Sequence, residues 1–141
     1  MGMHYLEGEG TERDIQKGLK MLKLSARKDP EALLYLGCAY RDGFNLEQNN
    51  NLSIKNLKKA ASLKNTDSCL VLGDMHSTRE YGLYNAKKAA KYYLKGAKMN
   101  DISCMEKAIV MYRNGWLVTR NEKKADMWQK RHDEIDAKIY G

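Results

Sequence analysis

Histidine and cysteine are the residues of this chain best suited to metal binding or nucleophilic catalysis. There are three of each: His4, His76 and His132, and Cys38, Cys69 and Cys104. A metal site on a helix needs such residues three or four positions apart, and no two of these six are that close. The sequence therefore predicts packed or surface histidines and small buried thiols, with no metal site and no cofactor.

Motifs for other chemistry are also missing from the sequence. Gly8 and Gly10 precede one predicted helix but follow another helix, whereas a dinucleotide-binding loop follows a strand. There is no phosphate-binding loop and no nucleophile elbow. The acidic residues near these glycines are interpreted as solvated side chains. We therefore expect that the protein is not an enzyme.

The composition is typical of a soluble, folded protein with one domain. The 141 residues include 25 Lys and Arg against 18 Asp and Glu, which gives a net charge of +7. Apolar residues make up 43% and charged residues 30%. An odd number of cysteines argues against a disulfide framework. With no apolar stretch typical of a membrane span or signal peptide, we expect a cytoplasmic protein, or a periplasmic or secreted one if a signal precedes this sequence.

The chain contains an internal repeat that positions every candidate residue. One frame recurs at 1–8, 36–43, 72–76 and 108–115, with periods of 35, 36 and 36 residues. A second marker keeps the same period, since an Asp or Asn suited to capping a helix occurs once in each copy. These residues are Asp14, Asn49, Asn85 and Asn121. Four positions later comes a small residue in each copy, namely Gly18, Ser53, Ala89 and Ala125.

Each repeat is predicted to form a helix A, a loop and a helix B. The helices are expected at 1–7, 14–28, 31–42, 49–64, 66–78, 86–99, 102–114 and 121–139. Such a short pair cannot bury its apolar face alone, so the repeats must stack. The prediction is one all-α domain over 1–141, with repeats at about 1–30, 31–65, 66–100 and 101–141 and the first repeat incomplete.

The last predicted helix continues beyond the repeat pattern and is interpreted as a cap. Apolar or aromatic residues form a stripe along it at Trp128, His132, Ile135 and Ile139. The stripe could instead contact a further repeat or a second copy of the chain, which leaves a homodimer through the solenoid ends open.

The frame Leu-Gly-x-x-Tyr-x-x-Gly, followed by a cap and Lys-Ala-x-x-aromatic-aromatic-x-Lys-small-Ala, resembles the Sel-one-like repeat (SLR) family. The match is nearly complete in 85–100, while His76, Arg79 and the pair Ala108 and Ile109 depart from the pattern. The resemblance implies a right-handed α-solenoid, related to tetratricopeptide repeats, that binds proteins without catalysis. Such proteins serve as adaptors, as factors in host contact and as immunity proteins against bacterial toxins.

The resemblance also implies that the A helices line a concave groove where a protein partner binds. Positions that surround the repeat glycine are expected to face this groove. The predicted partner-binding residues are Tyr35, Cys38, Arg41 and Asp42, then Val71 and Asp74, then Lys107, Val110 and Arg113. Tyr35 is equally well explained as a variable surface position. The preferred function is that of an immunity protein that neutralises a secreted bacterial toxin. The alternative is that this chain is an adaptor or scaffold fragment of a longer signalling or host-contact protein.

A second predicted surface is a basic ridge on one helix B. Lys87, Lys91, Lys95 and Lys98 lie at offsets of 4, 8 and 11 residues and so share one side of the helix. A solvated helix face explains them most simply. Binding of nucleic acid or of an anionic membrane surface is the alternative, although no known nucleic-acid module accompanies the charge.

Overall fold

The computed structural model describes residues 12–141, and within them it contains helices joined by turns and no strand. The helices are α1 (Glu12–Ser25), α2 (Pro30–Asp42), α3 (Asn50–Ser62), α4 (Thr66–Ser77), α5 (Ala86–Lys98), α6 (Ile102–Asn114) and α7 (Glu122–Tyr140). Each corresponds to a predicted helix, while the predicted helix 1–7 lies outside the described residues. The described residues divide into two compact units, the first ending at Asn65 and the second comprising Thr66–Gly141.

Asparagine caps begin three of the B helices, as the repeat predicts. Asn49, Asn85 and Asn121 have extended backbones, and each side chain accepts a hydrogen bond from the backbone N–H three residues later. The prediction that Asp14 caps α1 is wrong, because α1 already includes Glu12. Asp14 instead lies in the first turn, where a carboxylate interacts favourably with the positive end of the helix dipole.

The repeat glycine allows helices A and B of one repeat to pack closely. A Cβ atom on Gly37 would lie 2.5 Å from Cγ of Leu57, and one on Gly73 would lie 2.5 Å from Cε1 of Tyr93. Leu57 and Tyr93 are both fully buried. Because real Cβ contacts of this length do not occur, the absent side chain makes room for one large residue of helix B.

The small residues of helix B complete this packing. Ser53, Ala89 and Ala125 are fully buried, as the spacing after the caps predicts. Ser53 differs from the two alanines because its hydroxyl donates a 2.6 Å hydrogen bond to the carbonyl oxygen of Gly37. The serine therefore fills a small packing position and satisfies a polar atom of the facing helix.

The terminal helix α7 packs on α6 through its first half. Trp128 is buried and His132 is half-buried, whereas Ile139 is 59% exposed and Tyr140 is 81% exposed. The stripe predicted along this helix is therefore covered at its beginning and open at its end. Within residues 12–141, no helix is both long enough and apolar enough to cross a membrane.

Candidate protein-binding face

In the first unit, Tyr35 and Cys38 line one cavity of about 470 Å³ together with residues of α1 and α2. Both side chains are half-buried, so neither is a fully exposed groove residue. Burial raises the pKa of the Cys38 thiol, although the nearby Arg41 guanidinium acts in the opposite direction. The thiol is therefore protonated at neutral pH and acts as part of the apolar wall.

Arg41 and Asp42 pair with each other at the end of α2. The Nε and Nη2 atoms of Arg41 donate hydrogen bonds of 2.9 and 3.0 Å to the two carboxylate oxygens of Asp42. These bonds hold the pKa of Asp42 below its usual value, against the effect of burial. The two predicted partner-binding charges thus form one locally neutral, bidentate pair.

In the second unit, the structure brings together two of the predicted residues, Asp74 of α4 and Lys107 of α6. The Nζ atom of Lys107 lies 3.9 Å from Oδ1 of Asp74, and each side chain is nearly half exposed. The hydroxyl of buried Tyr93 donates a 2.5 Å hydrogen bond to the same oxygen. Burial, followed by this bond to Asp74, raises the pKa of Tyr93, so the hydroxyl stays protonated and donates.

Three residues of this site were missed by the sequence analysis. They are the buried Tyr93 of α5, Ser77 at the end of α4, and Trp116 in the loop after α6. The Ser77 hydroxyl lies 3.2 Å from that of Tyr93. Lys107 Nζ lies 5.8 Å from the Tyr93 ring centre and 5.9 Å from that of Trp116, within cation–π range.

A signal for Tyr93 was present in the sequence. Tyr93 follows Gly73 by 20 residues, as Leu57 follows Gly37, which places both in the same packing slot. A tyrosine is longer than the slot requires, and its hydroxyl must find a polar partner when buried. A candidate partner was Asp74, immediately after the glycine.

The remaining predicted residues of the second unit differ in what they offer a partner. Val110 is 44% exposed on α6, and Val71 of α4 is half-buried. Arg113 is held by α7, since its Nη1 atom lies 2.9 Å from Glu122 and 3.3 Å from Asp126. We name Val71, Asp74, Lys107 and Val110 the A-helix face, and we assign Arg113 to the contact between α6 and α7.

The four lysines predicted as a ridge are exposed along α5, and so is Lys88. Their amines form no ion pair with any carboxylate of residues 12–141. Within residues 12–141, the ridge is therefore a run of positive charge with no carboxylate paired to it.

The histidines and cysteines of the described residues have structural contacts. His76 is buried and stacks on Tyr92, and its Nδ1 atom lies 2.9 Å from the carbonyl oxygen of Leu83. Because a carbonyl oxygen can only accept, Nδ1 carries the proton. Cys69 and Cys104 are fully buried, as the sequence predicts for small thiols. Among residues 12–141, no group of His, Cys, Asp and Glu could hold a metal ion.

The repeat pattern matches a known family model. The model, described as Sel1 repeat, matches residues 1–29, 30–65, 66–101 and 104–128, which is most of the chain. The chain belongs to the Sel1 repeat family. This confirms the family resemblance recognised in the sequence, and Sel1 repeat proteins are in general non-catalytic scaffolds for protein interaction.

Two solved structures with this fold come from bacteria. A Sel1 repeat protein from Oxalobacter formigenes is 25% identical, with a TM-score of 0.78, and the match covers 95% of this chain and 39% of that protein. A protective antigen of uropathogenic Escherichia coli, c5321, which displays an SLR fold, is also 25% identical, with a TM-score of 0.70 and coverages of 95% and 29%. The predicted α-solenoid of helical repeats is thus confirmed, and this Sel1 repeat chain spans less than half the length of either protein. A search of curated protein sequences finds no significant match.

Proposed function

We propose that this Sel1 repeat chain binds a protein partner through the A-helix face of its second unit. The observation that carries the proposal is the fixed position of Asp74 between Tyr93 and Lys107. A side chain that is already held in place loses little conformational entropy when a partner binds, and this favours affinity.

The A-helix face combines the groups that protein interfaces use. Asp74 and Lys107 supply both signs of charge, and the exposed Val110 supplies apolar area beside them. An exposed ion pair contributes little to folding, so Lys107 can leave Asp74 for a carboxylate of the partner at small cost while the bond from Tyr93 keeps Asp74 in place. Such a surface fits a folded protein or an extended segment with complementary charges and an apolar side chain.

Site-specific photo-cross-linking in cells of the source organism tests this proposal. A photoreactive amino acid at Val110 should capture one protein, whereas the same amino acid at Ser62, which is exposed on α3, should not. The captured protein should then bind the purified chain, with an affinity at least about fivefold weaker for Lys107→Gln. Equal capture at both positions, or an unchanged affinity, would overturn the proposal.

A secreted bacterial toxin is the specific partner that we propose, with the cytoplasm as the compartment. The support is the family resemblance together with the bacterial origin of the two similar structures. Co-expression with a toxin encoded beside this chain should restore growth, and Lys107→Gln should reduce the protection.

A second copy of the chain is the alternative partner, because Ile139 and Tyr140 are exposed on α7. Sedimentation would then show a dimer.

A further inference from the structure

The solvent-facing side of α5 consists of lysine alone. Every exposed residue between Ala86 and Lys98 is a lysine, and the helix contains no acidic residue. We name these residues the lysine face: Lys87, Lys88, Lys91, Lys95 and Lys98. The terminal helix α7 of the same unit is different, because its exposed lysines alternate with acidic residues.

We propose that the lysine face binds an extended, acidic protein segment with Asp or Glu at alternate positions. This surface is separate from the A-helix face, and the proposal does not depend on that face. The positive potential of five lysines that pair with no carboxylate of residues 12–141 would attract such a segment from a distance and hold it by several ion pairs.

The spacing of the lysines fits this partner. Lys87, Lys91 and Lys95 follow each other at four-residue intervals, which correspond to about 6 Å along a helix with a rise of 1.5 Å per residue. Side chains on one side of an extended segment are about 6.6 Å apart, because alternate residues share a side. Successive carboxylates of an alternating acidic segment can therefore each approach one lysine.

The apolar residues of α5 favour an acidic peptide over a membrane or a nucleic acid. Tyr92 and Tyr93 are buried, and the Lys91 amine lies 5.6 Å from the Tyr92 ring centre. Ala86 and Leu94 are partly buried, so α5 has no fully exposed apolar side chain for insertion into a bilayer and no exposed aromatic ring for stacking on bases. An acidic peptide requires neither, because ion pairs suffice to bind it.

Fluorescence anisotropy with a labelled peptide of alternating Glu and Ser tests the proposal. The test variant is Lys87→Gln/Lys91→Gln/Lys95→Gln on α5. The matched control is Lys123→Gln/Lys130→Gln/Lys138→Gln on α7, which removes the same charge from exposed positions. We expect the Kd for the peptide to rise about tenfold in the α5 variant and less than about twofold in the α7 control, with weaker binding at higher salt.

Each contrary result overturns the inference. An equal rise in Kd for both variants would show attraction by net charge alone. No binding of the Glu-Ser peptide at low salt would remove the surface as a binding site. Tighter binding of duplex RNA, or of phosphatidylserine vesicles, that is lost in the α5 variant would assign the lysine face to a different partner class.

Discussion

The helix pairs α2–α3 and α4–α5 fill the same packing slot with different side chains. Leu57 packs against Gly37 and ends in the core, whereas Tyr93 packs against Gly73 and extends its hydroxyl to Asp74. The position equivalent to Asp74 in the first pair is Cys38. A fixed charge on helix A therefore needs two residues, namely the carboxylate next to the repeat glycine and a tyrosine of helix B whose hydroxyl reaches it.

The largest expected loss of stability comes from filling the space beside Gly73 in the second helix pair. Gly73→Ala places a Cβ atom against the Tyr93 ring, which cannot move without losing its bond to Asp74. We expect a loss of about 2–3 kcal/mol in the free energy of unfolding, measured by urea denaturation. Gly37→Ala should cost about half as much, because the Leu57 side chain that it displaces has no hydrogen bond to lose.

A second-site variant checks the cause of that loss. In a Tyr93→Ala background the ring is absent, so Gly73→Ala should cost less than about 0.5 kcal/mol. A similar loss in both backgrounds would show that the glycine is required for another reason than contact with Tyr93.

The next effect isolates the hydroxyl that distinguishes the two pairs. Tyr93→Phe keeps the ring and removes the hydrogen bond to Asp74, so we expect a loss of about 1.5 kcal/mol in the free energy of unfolding. Tyr92→Phe is the matched control, since Tyr92 is also buried but its hydroxyl has no hydrogen bond within residues 12–141. Equal losses for the two variants would contradict the role given to the bond.

A smaller effect is expected from the polar contact that belongs to the first pair. Ser53→Ala removes the bond to the Gly37 carbonyl and should cost about 1 kcal/mol. The control is Ser62→Ala, because Ser62 lies on the same helix but is exposed, and within the described part of the chain its hydroxyl bonds only to the carbonyl of Lys59. We expect no measurable change for this control, and a comparable loss there would refute the importance of burial at Ser53.

The smallest effect is a pH dependence in the fourth repeat. Burial lowers the pKa of His132, but hydrogen bonds to Asp133 and Glu106 outweigh it and raise the pKa above 6.5. The resulting stabilisation is fully present below the pKa of the unfolded chain and is lost as the pH rises through the folded pKa. His132→Gln should therefore cost about 0.5 kcal/mol more at acidic than at alkaline pH. The same loss at both pH values would be inconsistent with this ion pairing.

The helices and their caps could be predicted from the sequence because their causes are local. Asn85 caps α5 through a backbone N–H three residues away, and the Asn recurs with the repeat period. The prediction failed at Asp14, because an Asp is favourable both at the N-cap and in the first turn of a helix. Residue type alone therefore does not show which of the two positions Asp14 occupies.

The candidate site could be predicted only in part, because its geometry depends on contacts between helices. The repeat register placed Asp74 and Lys107 on A helices, which was sufficient to name both. The register did not show that the Tyr93 side chain reaches Asp74. That contact depends on how closely helices α4 and α5 approach each other at Gly73. Trp116 lies in a loop, where the helical period gives no information.

The most direct test of the account is the affinity of the partner captured at Val110 for two charge variants, measured by titration calorimetry. Asp74→Asn/Lys107→Gln changes the A-helix face, and Asp136→Asn/Lys138→Gln makes the same chemical changes on α7. We predict at least about a tenfold rise in Kd for the first variant and less than about a twofold rise for the second. An unchanged Kd for the first variant would contradict the assignment of partner binding to this face.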